Sequence, residues 1–581
     1  WRVYAPATSA AVSCDRAVLL RSSFATAPYS MWNVYASSVS ALAGRSVLMA
    51  HLRPVSSSRI AMSGVSAPTQ SYEKLKALLR EVDALSEIQG ILGYDEQVFM
   101  PPGAAASRAK QKGALAKILH DKSTGTEMRE AIDGVRGREE DFDDVRVRAN
   151  IRDAVDAFDK EARKSSELAQ KEAQLESEAN QAWAAARKAS DFSLFAGKLT
   201  EIFELKKEVA AVTRPALKSE PYDGALDAFE RGMRAERLDE IFEELRAGLV
   251  PLLEAINAKK ASDPSVDAPH PSLAFGDQWD TEAQAALSRD VAAKMGYSFD
   301  NGRLDVSTHP FTGGAGPRDV RMTTRYSANW AEGFGATIHE CGHALYEQGR
   351  DVGAEGLGLP ASRALSMGVH ESQSLLWERM VLQSKPFWEF AAPLFHARFP
   401  FTAEATAADF FRTYNRVSPG CIRVEADEVT YPLHVILRYD IERALFRGEM
   451  EVAEVPSYWV RRMKEDLGVH VPDDARGCLQ DIHWSFGAVG YFPSYTLGAI
   501  MAVQIYNAAK ADLGAGALEA QIARGEFGTL REWLREKVHA VGSVHASPDA
   551  LLTSIAGEPV SPKPFLDYLR AKYSELYRLE E

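Results

Sequence analysis

The chain has 581 residues, 46% of them apolar and 25% charged, an ordinary globular composition with enough apolar material for a large core. Its net charge of −14 argues against a nucleic-acid partner, which calls for a basic stripe. No apolar run reaches the roughly 18 residues that a membrane helix needs, so no membrane partner is expected.

Residues 1–70 stand apart from the rest, with six Arg, no Lys, a single acid at Asp15, and abundant Ser and Ala. That is the composition of an organellar transit segment, addressed to a plastid or mitochondrion and removed before the fold is used. A disordered tail or a gene-boundary artefact are the alternatives. The chain opens on Trp1, and a start at Met62 would leave a cytoplasmic protein. The catalytic domain is expected over residues 71–581.

From Tyr72 onward, Leu75, Leu78, Leu79, Val82, Leu85 and Ile88 recur at helical spacing. Pro101-Pro102-Gly103 breaks that helix, a second runs to about His120, and a charged stretch leads to Gly137. Residues 144–189 lack Gly and Pro and predict one helix of about 65 Å with a solvated charged face. Helices follow over 192–212 and 238–258, then a Pro-rich loop at 264–271, a helix over 282–295 and a turn-rich stretch from Gly302 to Pro317. Val320 to Tyr326 is the clearest strand. Later helices are expected over 431–446, 456–467 and 493–509, with terminal helices to about Tyr577.

Chemistry concentrates in Ile338-His339-Glu340-Cys341-Gly342-His343. Residues four apart share a helix face, so His339 and His343 can offer imidazole nitrogens to one ion, with Glu340 beside them. In H-E-x-x-H sites the metal is zinc and the Glu takes a proton from the attacking water. The bland alternative is two satisfied histidines on a half-buried helix. Catalytic zinc keeps three protein ligands. The metzincin pattern is excluded, because Tyr346 and Gly349 stand where it requires Gly and His. After a Gly-rich turn, Met367 to Glu378 predicts a helix antiparallel to the first. Glu371 near its start is the natural third ligand; Glu378 is the rival, with a supporting or surface role as its alternative. The expected fold class is mainly α, a large helical metallopeptidase with a single cleft and a small β-sheet beside the H-E-x-x-H helix.

Five patterns occur in order: Asp319-Val320-Arg321-Met322-Thr323, the His339–His343 motif, His370-Glu371-Ser372-Gln373, Ile422-Arg423-Val424-Glu425-Ala426-Asp427, and Gly477-Cys478-Leu479-Gln480-Asp481-Ile482-His483-Trp484. Together they closely resemble the thermostable carboxypeptidase (carboxypeptidase Taq-like) metallocarboxypeptidase family, with weaker likeness back to about Tyr72. The resemblance implies a homodimer that releases single amino acids from peptides with a free C-terminus. It implies one divalent metal per chain, zinc first and cobalt or another divalent ion as alternatives. Such an enzyme must grip a carboxylate, which a guanidinium fork does well. Arg423 is the first candidate and Arg321 the second, because each lies in a family motif; the competing role is an internal ion pair, Arg423 with Asp427 or Arg321 with Asp319. His483, with Tyr431, His434 and Tyr491, could contact substrate or its oxyanion, or could be core residues.

Two other readings compete: an oligoendopeptidase on a similar helical cleft, and a catalytically dead scaffold, against which the intact Glu340 and metal positions argue. Cys14, Cys341, Cys421 and Cys478 are too few and scattered for a disulfide framework and suggest a reducing interior, with Cys341 a small packing residue off the His face.

Overall fold

The computed structural model describes residues 66–579, so the transit-segment reading of residues 1–70 lies almost entirely outside the described residues. The chain enters the fold on a helix, Ala67–Val98, capped by Ser66 accepting from Thr69 N. Pro101 and Pro102 end it, and the return helix is Ala105–Thr124. The long helix expected over 144–189 is instead two, Val145–Arg163 and Ser166–Ala189. Ser165 takes an extended backbone and accepts from Leu168 N, a local bond that restarts the helix where propensity alone would run through. Nor is the charged face wholly solvated: Glu172 is buried and pairs with Lys206 at 2.5 Å.

The other helices fall near their expected places, at Ser193–Thr213, Ala235–Ser262, Thr281–Met295, Tyr431–Arg447, Val455–Leu467, Pro493–Leu513 and Pro562–Tyr577. Pro493–Leu513 is buried over most of its surface and packs most closely against Met367–Leu375, so it forms the floor on which the candidate site rests.

The sheet has three strands, β1 (Gly302–Val306), β2 (Thr312–Gly314) and β3 (Val320–Thr324), in the order β1-β3-β2. β1 runs parallel to β3, and β2 antiparallel to it with Thr312 opposite Met322. Thr324 Oγ1 donates to the carbonyl of Gly333 at 2.9 Å, tying the sheet to the helix Trp330–Gln348 that carries the two histidines.

That helix starts at Asn329, whose side chain accepts from Glu332 N. It lies antiparallel to Met367–Leu375: His339 meets Glu378, His343 meets Glu371, and Glu347 meets His370. The expected helix continues past Leu375, but residues Leu376–Leu382 wind as a π-helix. Close approach depends on Gly342. A Cβ there would fall 2.6 Å from Ser374 Cα and 2.7 Å from the Gln373 carbonyl. Gly342→Ala is therefore expected to destabilise the protein by about 1–3 kcal/mol, despite alanine's better helix propensity, because two backbones must part. Denaturant unfolding of the two proteins measures this.

Candidate active site

His343 is almost fully buried and His339 is about one quarter exposed, so the cluster opens on the His339 side. Glu371 Oε2 lies 3.4 Å from His343 Nε2 and 4.0 Å from His339 Nε2. Ligand atoms of the three residues all fall within 4.8 Å of one another. Ligands bonded at about 2.0–2.2 Å around a tetrahedral ion sit roughly 3.3–3.6 Å apart, so this donor set fits a small divalent metal with little adjustment.

The electrostatics suit the same role. Burial presses on the Glu371 carboxylate, but the hydrogen bond from His343 and the charge on His339 outweigh it and hold its pKa down to about 2. Burial and the neighbouring His370 push His343 down to about 4, so it is neutral and has a lone pair to give. His339 differs: although burial opposes its charge, the hydrogen bond to Glu378 and the nearby carboxylates push it up to about 9. A metal there has to displace the proton on Nε2.

Glu378, the rival ligand, touches the other nitrogen of that ring. Its Oε2 sits 2.6 Å from His339 Nδ1, which fixes the ring and aims Nε2 at Glu371. Glu340 is buried, with Oε2 2.7 Å from the hydroxyl of Thr312 on β2. Burial raises its pKa, opposed by the charge on His339 and by the Thr312 hydrogen bond. A carboxylate so placed is a better proton acceptor than one in water.

A second cluster lies beside the first, where Glu371's charge reaches Tyr431, Tyr491 and Tyr495. Arg423 donates from Nε and Nη2 to Asp481 Oδ1 at 3.1 and 2.9 Å and from Nη1 to Tyr431 Oη at 3.2 Å. Its internal partner is thus Asp481, not Asp427, which instead accepts from the backbone of Ser418, Val429 and Thr430. Asp481 also accepts from Arg438 Nε at 2.6 Å. His483 Nε2 is 3.1 Å from Tyr495 Oη, and burial drives its pKa down to about 3, so the ring is neutral. Tyr491 packs on that ring at 5.6 Å, while His434 is buried on the first turns of Tyr431–Arg447, next to the charges of Arg438 and Arg423. Arg321 is not brought to this cluster. Both arms of its fork are taken by Asp319 at 2.7 Å, and it lies over the Tyr94 ring.

Sequence reasoning missed Thr312, Tyr495 and Glu230. Glu230 is wholly buried, accepts from the Gly368 N–H at the start of the helix bearing Glu371, and has its pKa raised to about 7 by that burial. No spacing signal could have found it, since it lies far along the chain from the residues it holds. Cys341 and Cys478 are buried among core residues, and Cys421 is likewise buried, with its Sγ 3.5 Å from the carbonyl of His470.

A helical body, a three-stranded sheet and two histidines with a glutamate on crossing helices define a metallopeptidase-type site. Residues 74–573 match the family model described as carboxypeptidase Taq (M32) metallopeptidase. The chain is 38% identical over 523 residues to thermostable carboxypeptidase 1 of Thermus thermophilus, covering 88% of this chain and 99% of that protein. Its structure is similar to the M32 carboxypeptidase of Deinococcus radiodurans, with a TM-score of 0.82 and 35% identity over 88% of this chain and all of that one. It is also similar to Trypanosoma cruzi metallocarboxypeptidase 1, with a TM-score of 0.83 and 34% identity over 87% of this chain and 99% of that one. The chain belongs to the M32 carboxypeptidase Taq family and is a metallocarboxypeptidase.

The two glutamates make a direct test. Glu371→Ala is expected to lose the metal from folded protein, whereas Glu378→Ala keeps it with roughly 10- to 100-fold weaker affinity, because only the orientation of His339 is released. Metal analysis of folded variants after dialysis against a graded chelator decides it.

Proposed function

We propose that the chain is a zinc-dependent carboxypeptidase that releases single amino acids from peptides with a free C-terminus, with His339, His343 and Glu371 holding the ion. The observation that carries this reading is the convergence of those three residues within 4.8 Å beside a separate buried carboxylate, Glu340. A divalent ion held there, zinc for a two-His, one-Glu donor set and cobalt or another divalent ion as alternatives, supplies a Lewis acid that acidifies water and polarises the scissile carbonyl.

The chain's own residues do the rest. Glu340 accepts the proton of the attacking water and returns it to the leaving amine, with its Oε2 steadied by Thr312. His483, neutral because it is buried, and Tyr495 bonded to it can donate to the developing oxyanion. Arg423 receives the substrate's terminal carboxylate together with Tyr431, and Asp481 fixes the fork in place from behind. Arg321, paired with Asp319, holds β3 beside the site. Delivery to a plastid or mitochondrion through residues 1–70, and assembly as a homodimer, belong to the same proposal and rest on composition and on the family likeness.

Glu340→Gln is expected to keep its metal and lose about 10²- to 10⁴-fold in kcat, since the amide preserves shape and removes the base. Near-normal turnover by metal-loaded variant would take Glu340 out of the mechanism. Arg423→Ala should lower kcat/KM roughly 10- to 100-fold on N-blocked peptides with a free carboxylate and leave the poor amidated analogues almost unchanged. Wild-type cleavage of amidated peptides as fast as free acids would turn the reading to an oligoendopeptidase.

A further inference from the structure

Among the described residues four arginines are buried: Arg379, Arg423, Arg438 and Arg443. Three of them are paired with carboxylates. Arg423 and Arg438 share Asp481 at 2.9 and 2.5 Å, and Arg443 pairs with Glu220 and Asp239 at 2.9 and 3.1 Å. Arg379 is 4% exposed, and its Nε and Nη1 have no hydrogen-bond acceptor among the described residues. A guanidinium taken out of water without a counter-charge is strongly disfavoured, and the penalty is relieved when an anion arrives. Arginine is never relieved of its charge by losing a proton at ordinary pH.

The position of this charge says which anion. Arg379 follows Glu378 on the π-helical stretch Leu376–Leu382, two turns beyond Glu371, and such irregular windings recur at functional sites. Its charge reaches both Glu371 and Glu378 and favours their ionised forms. Its guanidinium carbon lies 5.0 Å from the centre of the Tyr431 ring, and that of Arg423 lies 5.9 Å from the same ring. This cation, with no hydrogen-bonded carboxylate among the described residues, therefore sits at the edge of the candidate metal cluster, around the same tyrosine as the proposed carboxylate clamp.

We propose that Arg379 is the second guanidinium of the substrate-carboxylate subsite, lying with Arg423 about Tyr431, and that a substrate carboxylate accepts the hydrogen bonds its Nε and Nη1 leave unmade. The proposal rests on the reading that Arg423 faces the chain end. Arg423 has already committed three donors to Asp481 and Tyr431, whereas Arg379 has Nε and Nη1 free. The carboxylate could be the terminal one or the side chain of an acidic C-terminal residue; the chemistry is the same, and substrates separate the two.

The test uses Arg379→Gln and Arg379→Lys in the metal-loaded enzyme, with N-acetylated dipeptides ending in Leu, Leu-amide or Glu. Arg379→Gln should lose roughly 10- to 100-fold in kcat/KM on free acids, mostly through KM, with the amide unchanged and the Lys variant recovering only part. An equal loss on Leu- and Glu-ending acids identifies the terminal carboxylate; a loss confined to the Glu-ending peptide identifies the side chain. A non-hydrolysable pair, 3-phenylpropanoate and its amide, gives a readout independent of turnover: the acid should raise the Tm of wild type more than the amide does, and Arg379→Gln should remove that difference. Ligand-free Arg379→Gln should melt at or above the wild-type temperature, because an unpaired buried charge has been deleted. A lowered Tm with equal losses on acid and amide, failure to fold, or unchanged activity on both the Leu- and the Glu-ending acids would each overturn the proposal. If Arg379→Gln abolishes the preference for acids while Arg423→Ala leaves it intact, Arg379 stands and the Arg423 reading fails.

Discussion

Two helices that carry charged and titratable side chains into a shared, largely water-free volume can pack only if those groups compensate one another. His343 and Glu371 do this directly, at 3.4 Å, and Glu378 does it for His339 at 2.6 Å. Breaking such a buried set by removing one partner leaves the other uncompensated, which is far worse than never having buried it. The crossing also depends on glycine. Besides Gly342, Gly498 on the floor helix lies where a Cβ would fall 2.7 Å from Glu371 Cγ, so the Glu371 side chain fits between the two helices because residue 498 has no side chain. Positioning of the candidate metal ligands is thus a packing result before it is an electrostatic one.

The same logic organises the neighbouring polar cluster. Asp481 accepts from two buried guanidiniums, Arg423 and Arg438, and is held well below the usual carboxylate range by those charges against the opposing effect of burial. One carboxylate between two cations leaves a net positive charge, so the cluster stays receptive to an anion. Glu442, buried on the same helix as Arg438, accepts from Trp484 and Tyr222 and from the backbone of Gly490, and so braces the loop that presents His483.

The sheet contributes little core and much alignment. Its edge strand β2 places Thr312 against Glu340, and β3 is bonded to the first turn of the histidine helix through Thr324. A buried carboxylate beside the candidate metal ligands needs a fixed orientation, and a hydroxyl carried on a strand supplies it better than one on a loop.

How much of this was legible beforehand follows from the range of the interactions. Spacing of four along a helix sets His339 and His343 on one face whatever the rest of the fold does, and five ordered motifs suffice to place the chain in its family. Most of the longer helices were also readable, because apolar periodicity is local, whereas Thr126–Asp133, Lys385–Arg398 and Ala407–Tyr414 were not. Where a single residue's side chain intervened, as Ser165 does in splitting the expected long helix, a weak propensity argument lost to one specific hydrogen bond. Partner choice was beyond sequence: Arg423 binds Asp481, 58 positions away, rather than the nearby Asp427, and Glu378 meets Nδ1 of His339. Glu371 and Glu378 are chemically identical and share a helix, so only the packing of one helix against another determines which reaches the ligand cluster. The same holds for Arg379, whose Nε and Nη1 meet no acceptor among the described residues, a property of the assembled core and of no stretch of the chain.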